Sequence, residues 1–128
     1  MRKNKTVPSS LRLWFLSHFI VDYLFAIPLF IAPYFTLSFF GWQTIDPFST
    51  RLVAAALFAV GGISFFSRNA PFPVYRNILV LKIIWSLSAI LGIFITLMQG
   101  APFFGWIVLF TFLLFSCVWI YFYYKIYN

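Results

Sequence analysis

Four long apolar runs constrain this chain more than any other feature of its sequence. They occupy approximately residues 13–40, 51–67, 77–98 and 102–124. A helix needs about 20 apolar residues to cross a bilayer, and arginines at its ends can extend the reach of a shorter run. In a chain of 128 residues that is 63% hydrophobic, a soluble core has too little interior to bury this much apolar surface. The bilayer is therefore the expected solvent.

We predict an all-α polytopic membrane protein, folded as a single transmembrane domain over residues 1–128. The expected architecture is an antiparallel bundle of four transmembrane helices. Pro28 and Pro33 interrupt the first run, which predicts a proline-kinked first helix, with a kink or break near residues 26–33. Asp46 followed by Pro47 is typical of a helix start, because aspartate caps the helix and proline fits its first position. The connection 99–102 is tight, so the last two helices should be neighbours.

The basic residues predict the orientation of the chain. With four spans, Arg51 alone falls on one side of the membrane, and Lys82 lies within a span. The other basic residues fall on the opposite side, and they are Arg2, Lys3, Lys5, Arg12, Arg68, Arg76 and Lys125. Lys and Arg are enriched in cytoplasmic loops, so both termini should be cytoplasmic in a multi-pass protein of the cell membrane.

The net charge of +7 lies in short tails and loops beside apolar runs rather than on a folded basic surface. This placement argues against nucleic-acid binding and favours contact with the bilayer and its anionic headgroups. Arg51, Arg68 and Arg76 are the candidate headgroup contacts.

Catalytic signatures are absent from the sequence. The single cysteine, Cys117, excludes an intramolecular disulfide and a paired-cysteine redox centre, and His18 is the single histidine. The chain has no phosphate-binding glycine loop, nucleophile elbow or metalloprotease motif. We therefore assign no catalytic residue, no metal site and no cofactor. Enzymatic activity stays open, although the sequence favours a non-enzymatic role.

Asp22 is the best guide to function, because a carboxylate at membrane depth is costly and usually faces a partner, a cavity or a pathway. His18 precedes it by one helical turn and shares its helix face. From the expected helix starts, His18 and Lys82 each lie ~9 Å deep and Asp22 ~15 Å deep. Ser86, one turn beyond Lys82, could face Asp22. This candidate polar cluster is either a protonatable relay or binding pocket, or an internal salt bridge that fixes helix packing.

Small residues recur at helical spacing in two runs. Ala55, Ala59 and Gly62 form one stripe, and Ala89 and Gly92 form another. Small side chains let helices approach closely, so both stripes are interpreted as packing faces, within the bundle or in a homodimer.

The chain resembles the DoxX-like group of small four-helix membrane proteins. The matching features are the proline-interrupted first span, Gly41 and Trp42 before Asp46 and Pro47, and Arg51 opening a small-residue second span. The resemblance covers roughly residues 24–120 as a pattern rather than a motif. It implies a four-helix membrane fold and, since members include subunits associated with quinone-linked oxidation, the role of a membrane oxidoreductase subunit. It carries over no site residue.

Three hypotheses of function follow. The first is a small, non-enzymatic integral membrane protein that serves as an accessory or binding subunit, either with a partner membrane subunit or as a homodimer. The second is a small proton-coupled transporter that acts as a dimer, suggested by the size of the chain and the carboxylate in its first helix. The third is the membrane subunit of a quinone-linked oxidoreductase.

Overall fold

A computed structural model describes residues 5–127 of the chain. The helices in chain order are α1 (Ser9–Ile31), α2 (Pro33–Phe39), α3 (Pro47–Phe66), α4 (Phe72–Gln99) and α5 (Phe104–Tyr127), and no strand occurs among these residues. Helices α1, α3, α4 and α5 are long and apolar enough to cross a membrane. The seven residues of α2 are too few to do so. An all-helical protein with four potential spans is thus confirmed, whereas the antiparallel arrangement stays a prediction.

The first apolar run forms two helices, and proline explains where they separate. Ala32 has φ −134° and ψ 68°, outside the helical region. Pro33 causes this, because a proline ring disfavours the helical conformation of the residue before it. Pro33 then opens α2, where its missing N–H costs no hydrogen bond. Pro28 lies inside α1, and the Thr36 hydroxyl donates to its carbonyl oxygen at 3.0 Å, so α2 is tied back to α1. A kink within α1 stays a prediction.

The start of α3 is the one that the sequence predicts. The Phe48 N–H donates to the Asp46 carboxylate at 3.0 Å, and the Ser49 hydroxyl donates to its other oxygen at 2.6 Å. Pro47 is the first helical residue. The Ser49 and Phe48 hydrogen bonds favour the ionised carboxylate and lower the pKa of Asp46. The predicted aspartate cap and proline start are confirmed.

The four long helices pack as two pairs. Helix α1 lies along α3, and α4 lies along α5, whereas the two pairs touch each other at few points. The pairs are joined at one end of the bundle by a hydrophobic core from α1, α4 and α5, made of Leu11, Phe15, Tyr75, Ile78, Leu79, Phe115, Trp119, Phe122 and Ile126. Aromatic stacking contributes to it, since the Phe15 and Tyr75 ring centroids lie 4.5 Å apart. Beyond this core the pairs leave a space between them, and the candidate site lies there.

Candidate functional site

His18 joins Lys82 to Asp22 within the bundle. The Lys82 Nζ lies 2.5 Å from His18 Nδ1, and His18 Nε2 lies 3.4 Å from Asp22 Oδ1. The side chains are buried, with exposed fractions of 0% for Lys82, 4% for His18 and 5% for Asp22. Helical spacing places His18 and Asp22 on one face of α1, and the shared core of α1 and α4 places Lys82 opposite. The structure therefore brings together three of the residues in the predicted polar cluster.

Aromatic rings surround the Lys82 ammonium group. Its Nζ lies 4.9 Å from the ring centroid of Phe15 and 4.9 Å from that of Trp119. Cations are attracted to aromatic faces, and the attraction is strongest where water is excluded. The charge of Lys82 is therefore stabilised by two ring faces and by one nitrogen of His18.

The charge state of Lys82 determines the tautomer of His18. When Lys82 is charged, its ammonium group donates to Nδ1, and a neutral imidazole then carries its proton on Nε2, facing Asp22. The imidazole thus links an ammonium donor to a carboxylate acceptor. A proton can pass along this link by a change of tautomer, which is the property that makes histidine a proton shuttle.

Asp22 packs closely against Gly61 of α3. A Cβ added to Gly61 would lie 2.7 Å from the Asp22 Cβ, closer than real Cβ atoms approach, and 3.0 Å from Oδ2. The next residue, Gly62, is equally close to Tyr23, since an added Cβ would lie 2.9 Å from its hydroxyl oxygen. Both glycines therefore allow α1 and α3 to pack at short range.

The predicted small-residue stripe of α3 is only partly the packing face. Gly62 is buried, but Ala55 and Ala59 are exposed on the surface of the chain. Their face turns away from α1, because the helix buries Ala54, Leu57 and Gly61 instead. The interpretation of the stripe as a packing face within the bundle was thus wrong for both alanines.

Asp22 Oδ2 and Trp85 Nε1 are buried atoms that form no hydrogen bond with any residue in the described part of the chain. Buried polar atoms are rarely left in this state, because each loses its interaction with water without a replacement. Both residues line the same cavity.

This cavity has a volume of about 590 Å³ and lies between the two helix pairs. At one end are His18, Asp22 and Trp119, and at the other are Trp42 and Ala101. Its walls are mainly apolar and aromatic, and they include Phe25, Leu29, Leu57, Phe104, Val108, Phe112 and Phe115. The lining runs from His18 to Leu29 along α1, which at 1.5 Å per residue is a length of about 17 Å.

Helix α4 supplies the small side chains that make room for the cavity. Ser86, Ala89 and Gly92 line it, and nothing lies within 4 Å of a Cβ added to Gly92. The interpretation of Ala89 and Gly92 as a close packing face within the bundle was therefore wrong for Gly92, and a homodimer contact there stays a prediction. The buried Ser86 hydroxyl donates to the Ile83 carbonyl oxygen at 3.2 Å rather than to Asp22, although both residues line the cavity.

Sequence reasoning missed the cavity and its residue Trp85. The available signal was the run of small residues on one face of α4. Small side chains permit either a close helix contact or an open space, and their spacing alone does not distinguish the two.

The three candidate headgroup contacts are exposed. Arg51 and Arg68 lie at opposite ends of α3, and Arg76 lies in α4. Arg51, near the start of α3, donates to the Phe30 carbonyl oxygen at 3.0 Å. Arg68, just beyond the end of α3, donates to the Phe65 carbonyl oxygen at 2.9 Å. Arg76 is exposed in the first turns of α4. The structure therefore does not bring Arg51 together with Arg68, from which ~26 Å of helix separates it.

Arg12 is a basic residue whose structural role the sequence did not indicate. Its guanidinium donates to the Arg68 carbonyl oxygen and, at 3.2 Å, to the Ala70 carbonyl oxygen, and it lies over the Tyr75 ring at 4.9 Å. It therefore ties α1 to the connection between α3 and α4, at the end of the bundle that the hydrophobic core closes.

Within residues 5–127, no group of three or more His, Cys, Asp or Glu side chains is placed to hold a metal ion. Comparisons of the chain with protein-family models, with curated proteins and with solved structures found no match.

Proposed function

We propose that this protein is a small, non-enzymatic integral membrane protein that binds a small, mainly apolar molecule in the cavity between its helix pairs. One observation carries the proposal: a cavity of about 590 Å³ is lined by a buried carboxylate whose Oδ2 has no partner among the described residues. Small-molecule sites are typically clefts of roughly 300–1,000 Å³ with apolar walls and a few polar groups that orient the ligand. Asp22, Trp85 and Ser86 are among the polar groups here, together with His18.

Two substitutions on α4 test this proposal. Gly92→Phe places a ring in the open space of the cavity, whereas Leu91→Phe adds a ring at the neighbouring position, which is 62% exposed. Native mass spectrometry of protein purified in mild detergent should show a copurifying small molecule in the wild type and in Leu91→Phe, and its loss in Gly92→Phe. Identical spectra for all three proteins would contradict the proposal. A copurifying quinone or haem would instead favour the oxidoreductase subunit.

A proton-coupled transporter is the second candidate, and the buried contacts that run from Lys82 through His18 to Asp22 favour it. The link ends at a residue of the cavity wall, so a proton on Asp22 could be exchanged for a ligand. Proton flux into liposomes, read with an enclosed pH-sensitive dye, tests this function. A folded Asp22→Asn variant should lose the flux, and a wild type without flux in the presence of its copurifying ligand would refute the transporter.

Dimerisation would suit either function, and the exposed Ala55 and Ala59 on α3 support it. Small residues on a lipid-facing surface allow a second helix to approach closely. Replacing both with leucine should weaken a dimer detected by crosslinking in membranes, and unchanged crosslinking would contradict this interface.

We also propose that the protein resides in the cell membrane with both termini cytoplasmic, as the distribution of basic residues indicates. Arg2 and Lys3, which contribute to this argument, lie outside the described residues. Because Cys117 is exposed, the test uses a Cys117→Ala background, with single cysteines at Thr6 and at Gln99. A membrane-impermeant thiol reagent applied to whole cells should label position 99 and not position 6. Equal labelling of the two would contradict the topology.

The loop between α3 and α4 is proposed to bind anionic lipid headgroups. Arg68 and Arg76 are exposed near its two ends, and each basic residue close to an anionic surface contributes ~1 kcal/mol. Replacing both with glutamine should reduce the anionic lipid retained during purification. Asn69→Gln, at an exposed and uncharged position in the same loop, is the control, and unchanged lipid content in the double variant would contradict the assignment.

A further inference from the structure

We infer that the cavity takes one hydrocarbon chain of a bilayer lipid, which enters from the side between α3 and α4 while the lipid head group stays at the membrane surface. The inference rests on the proposed function, since it names the chemical class of the molecule in the same cavity. It follows from the side on which the cavity is open, from its length and from the charges and hydroxyl groups in its wall.

The cavity is open on the side where α3 faces α4. Among the residues that line it, the exposed ones all belong to these two helices, and they are Val53 on α3 and Ser88, Gly92 and Thr96 on α4. The lining residues of α1 and α5 are buried or half-buried instead. We call the gap between Val53 and the three residues of α4 the side opening.

The side opening is long and faces the hydrocarbon of the bilayer. Its three residues on α4 are spaced by four, so they share one helix face over a length of about 12 Å. They lie within the apolar span Phe72–Gln99, so a molecule that enters here comes from the lipid chains rather than from water. Nothing lies within 4 Å of a Cβ added to Gly92, and wall atoms beside empty space lose their van der Waals contacts. A lipid chain restores these contacts.

The cavity has the length and position of a lipid chain in one leaflet. It runs along α1 from His18 to Leu29, which is about 17 Å, and half of the hydrocarbon core of a bilayer is about 15 Å thick. Its other end is at Trp42 and Ala101, which lie in the connections that follow α2 and α4. Tryptophan is enriched at the membrane surface. A lipid whose head group stays beside Trp42 therefore places its chain along the cavity.

The charged groups at the deep end of the cavity need no charged ligand. Lys82 is the charge partner of Asp22 within the bundle, and the His18 imidazole lies between them. Asp22 Oδ2 is buried against Gly61 of α3. A charged head group brought to this end would lose its water and find no unmatched charge, which is costly. The part of the ligand that enters the cavity is therefore uncharged.

Hydroxyl groups in the wall donate to the backbone and do not call for a polar ligand. Ser86, Thr96 and Thr111 donate to carbonyl oxygens of their own helices at 3.2, 2.9 and 2.9 Å. Thr36 donates to the Pro28 carbonyl oxygen at 3.0 Å. With these donors satisfied, a hydrocarbon chain can lie against the wall without leaving them unpaired.

Photo-crosslinking tests the inference. The full-length protein is placed in nanodiscs that contain a phosphatidylcholine with a diazirine at the end of one acyl chain, and mass spectrometry locates the residues labelled on illumination. The wild type and Leu91→Phe should be labelled at Trp85 and Phe112 in the cavity wall. Gly92→Phe should lose this labelling about tenfold or more, because its ring fills the side opening. Labelling of Leu114, which is 56% exposed and lies outside the cavity, should be equal in all three proteins.

A second lipid tests whether the head group stays outside the cavity. Phosphatidylethanolamine with the same labelled chain offers an ammonium group that donates hydrogen bonds, and its cavity labelling should agree with that of phosphatidylcholine within about threefold. A larger preference for either lipid would overturn the inference that the chain alone is held.

If Gly92→Phe does not fold, Ser88→Phe places a ring in the same side opening one turn away. Cavity labelling that is absent from the wild type, or equal in the wild type and the blocked variant, would overturn the lipid chain as the occupant. A copurifying molecule lost in Gly92→Phe would then still support the proposed function, whereas its absence would refute both.

Discussion

The contact between Asp22 and Gly61 leads to a specific prediction. A glycine-to-alanine substitution should lower the stability of the protein at Gly61 and raise it at Gly92. Gly61→Ala would place a Cβ 2.7 Å from the Asp22 Cβ, and ordinary van der Waals contact begins at 3.4 Å. Helices α1 and α3 would therefore have to separate by about 0.7 Å at this point, since neither Cβ is the end of a flexible side chain. Inserting a group into a well-packed interface costs about 1–3 kcal/mol.

The expected net change in stability also includes the gain in helix propensity. Replacing a helical glycine with alanine contributes about 0.8–1 kcal/mol of stability where the new methyl group fits. Gly61→Ala should therefore be destabilised by up to about 2 kcal/mol in net terms. Gly92→Ala is the matched control, because nothing lies within 4 Å of its added Cβ, and it should be more stable than the wild type by the propensity term alone.

Unfolding of both variants in the same detergent, followed by circular dichroism against a denaturant, measures these differences. An equal gain in stability for both alanine variants would show that α1 and α3 are not in close contact at Gly61 and would refute the reasoning.

Three further predictions concern the charged residues. Asp22→Asn should cost about 1–3 kcal/mol of unfolding free energy in detergent, and adding Lys82→Met should recover part of this loss, because the unmatched charge of Lys82 is then removed. Strictly additive effects of the two substitutions would contradict a coupling between Asp22 and Lys82. Asp46→Ala should lower stability at neutral pH: the pKa of Asp46 is lowered in the folded protein, so its stabilising effect is present above the ordinary carboxyl pKa and is lost as pH falls through the lowered value. Unfolding measured across pH should therefore show wild type and variant converging in acid, and a difference independent of pH would count against the cap. Arg12→Lys should lose about 1–2 kcal/mol, because a lysine keeps the charge but not the fork that reaches two carbonyl groups, and stability equal to wild type would refute that role.

Some features of the site were predictable because they depend on local spacing. His18 and Asp22 are one turn apart, and any helix through both places them on one face. The depth of Lys82 follows from the start of its helix, so its level relative to His18 was also predictable. The cap at Asp46 depends on residues within three positions of it, and the structure has it as the sequence predicts.

Other features depend on which helix faces meet, and residue spacing does not determine that. Gly61 and Gly62 are adjacent in sequence, yet only the packing of α1 shows that Gly61 touches Asp22 and Gly62 touches Tyr23. Ala55 and Ala59 have the same spacing as a packing stripe and are nevertheless exposed.

Sequence alone therefore determined that the chain is helical and apolar enough for four membrane spans, and that a carboxylate, an imidazole and an ammonium group lie within those spans. The apolar runs and helical periodicity are properties of each segment, so they can be read without knowing its neighbours. Only the tertiary structure decided that His18 joins Lys82 to Asp22 and that Gly92 faces an open cavity. Both depend on the distance between the two helix pairs, which is set by the combined shapes of side chains from several helices.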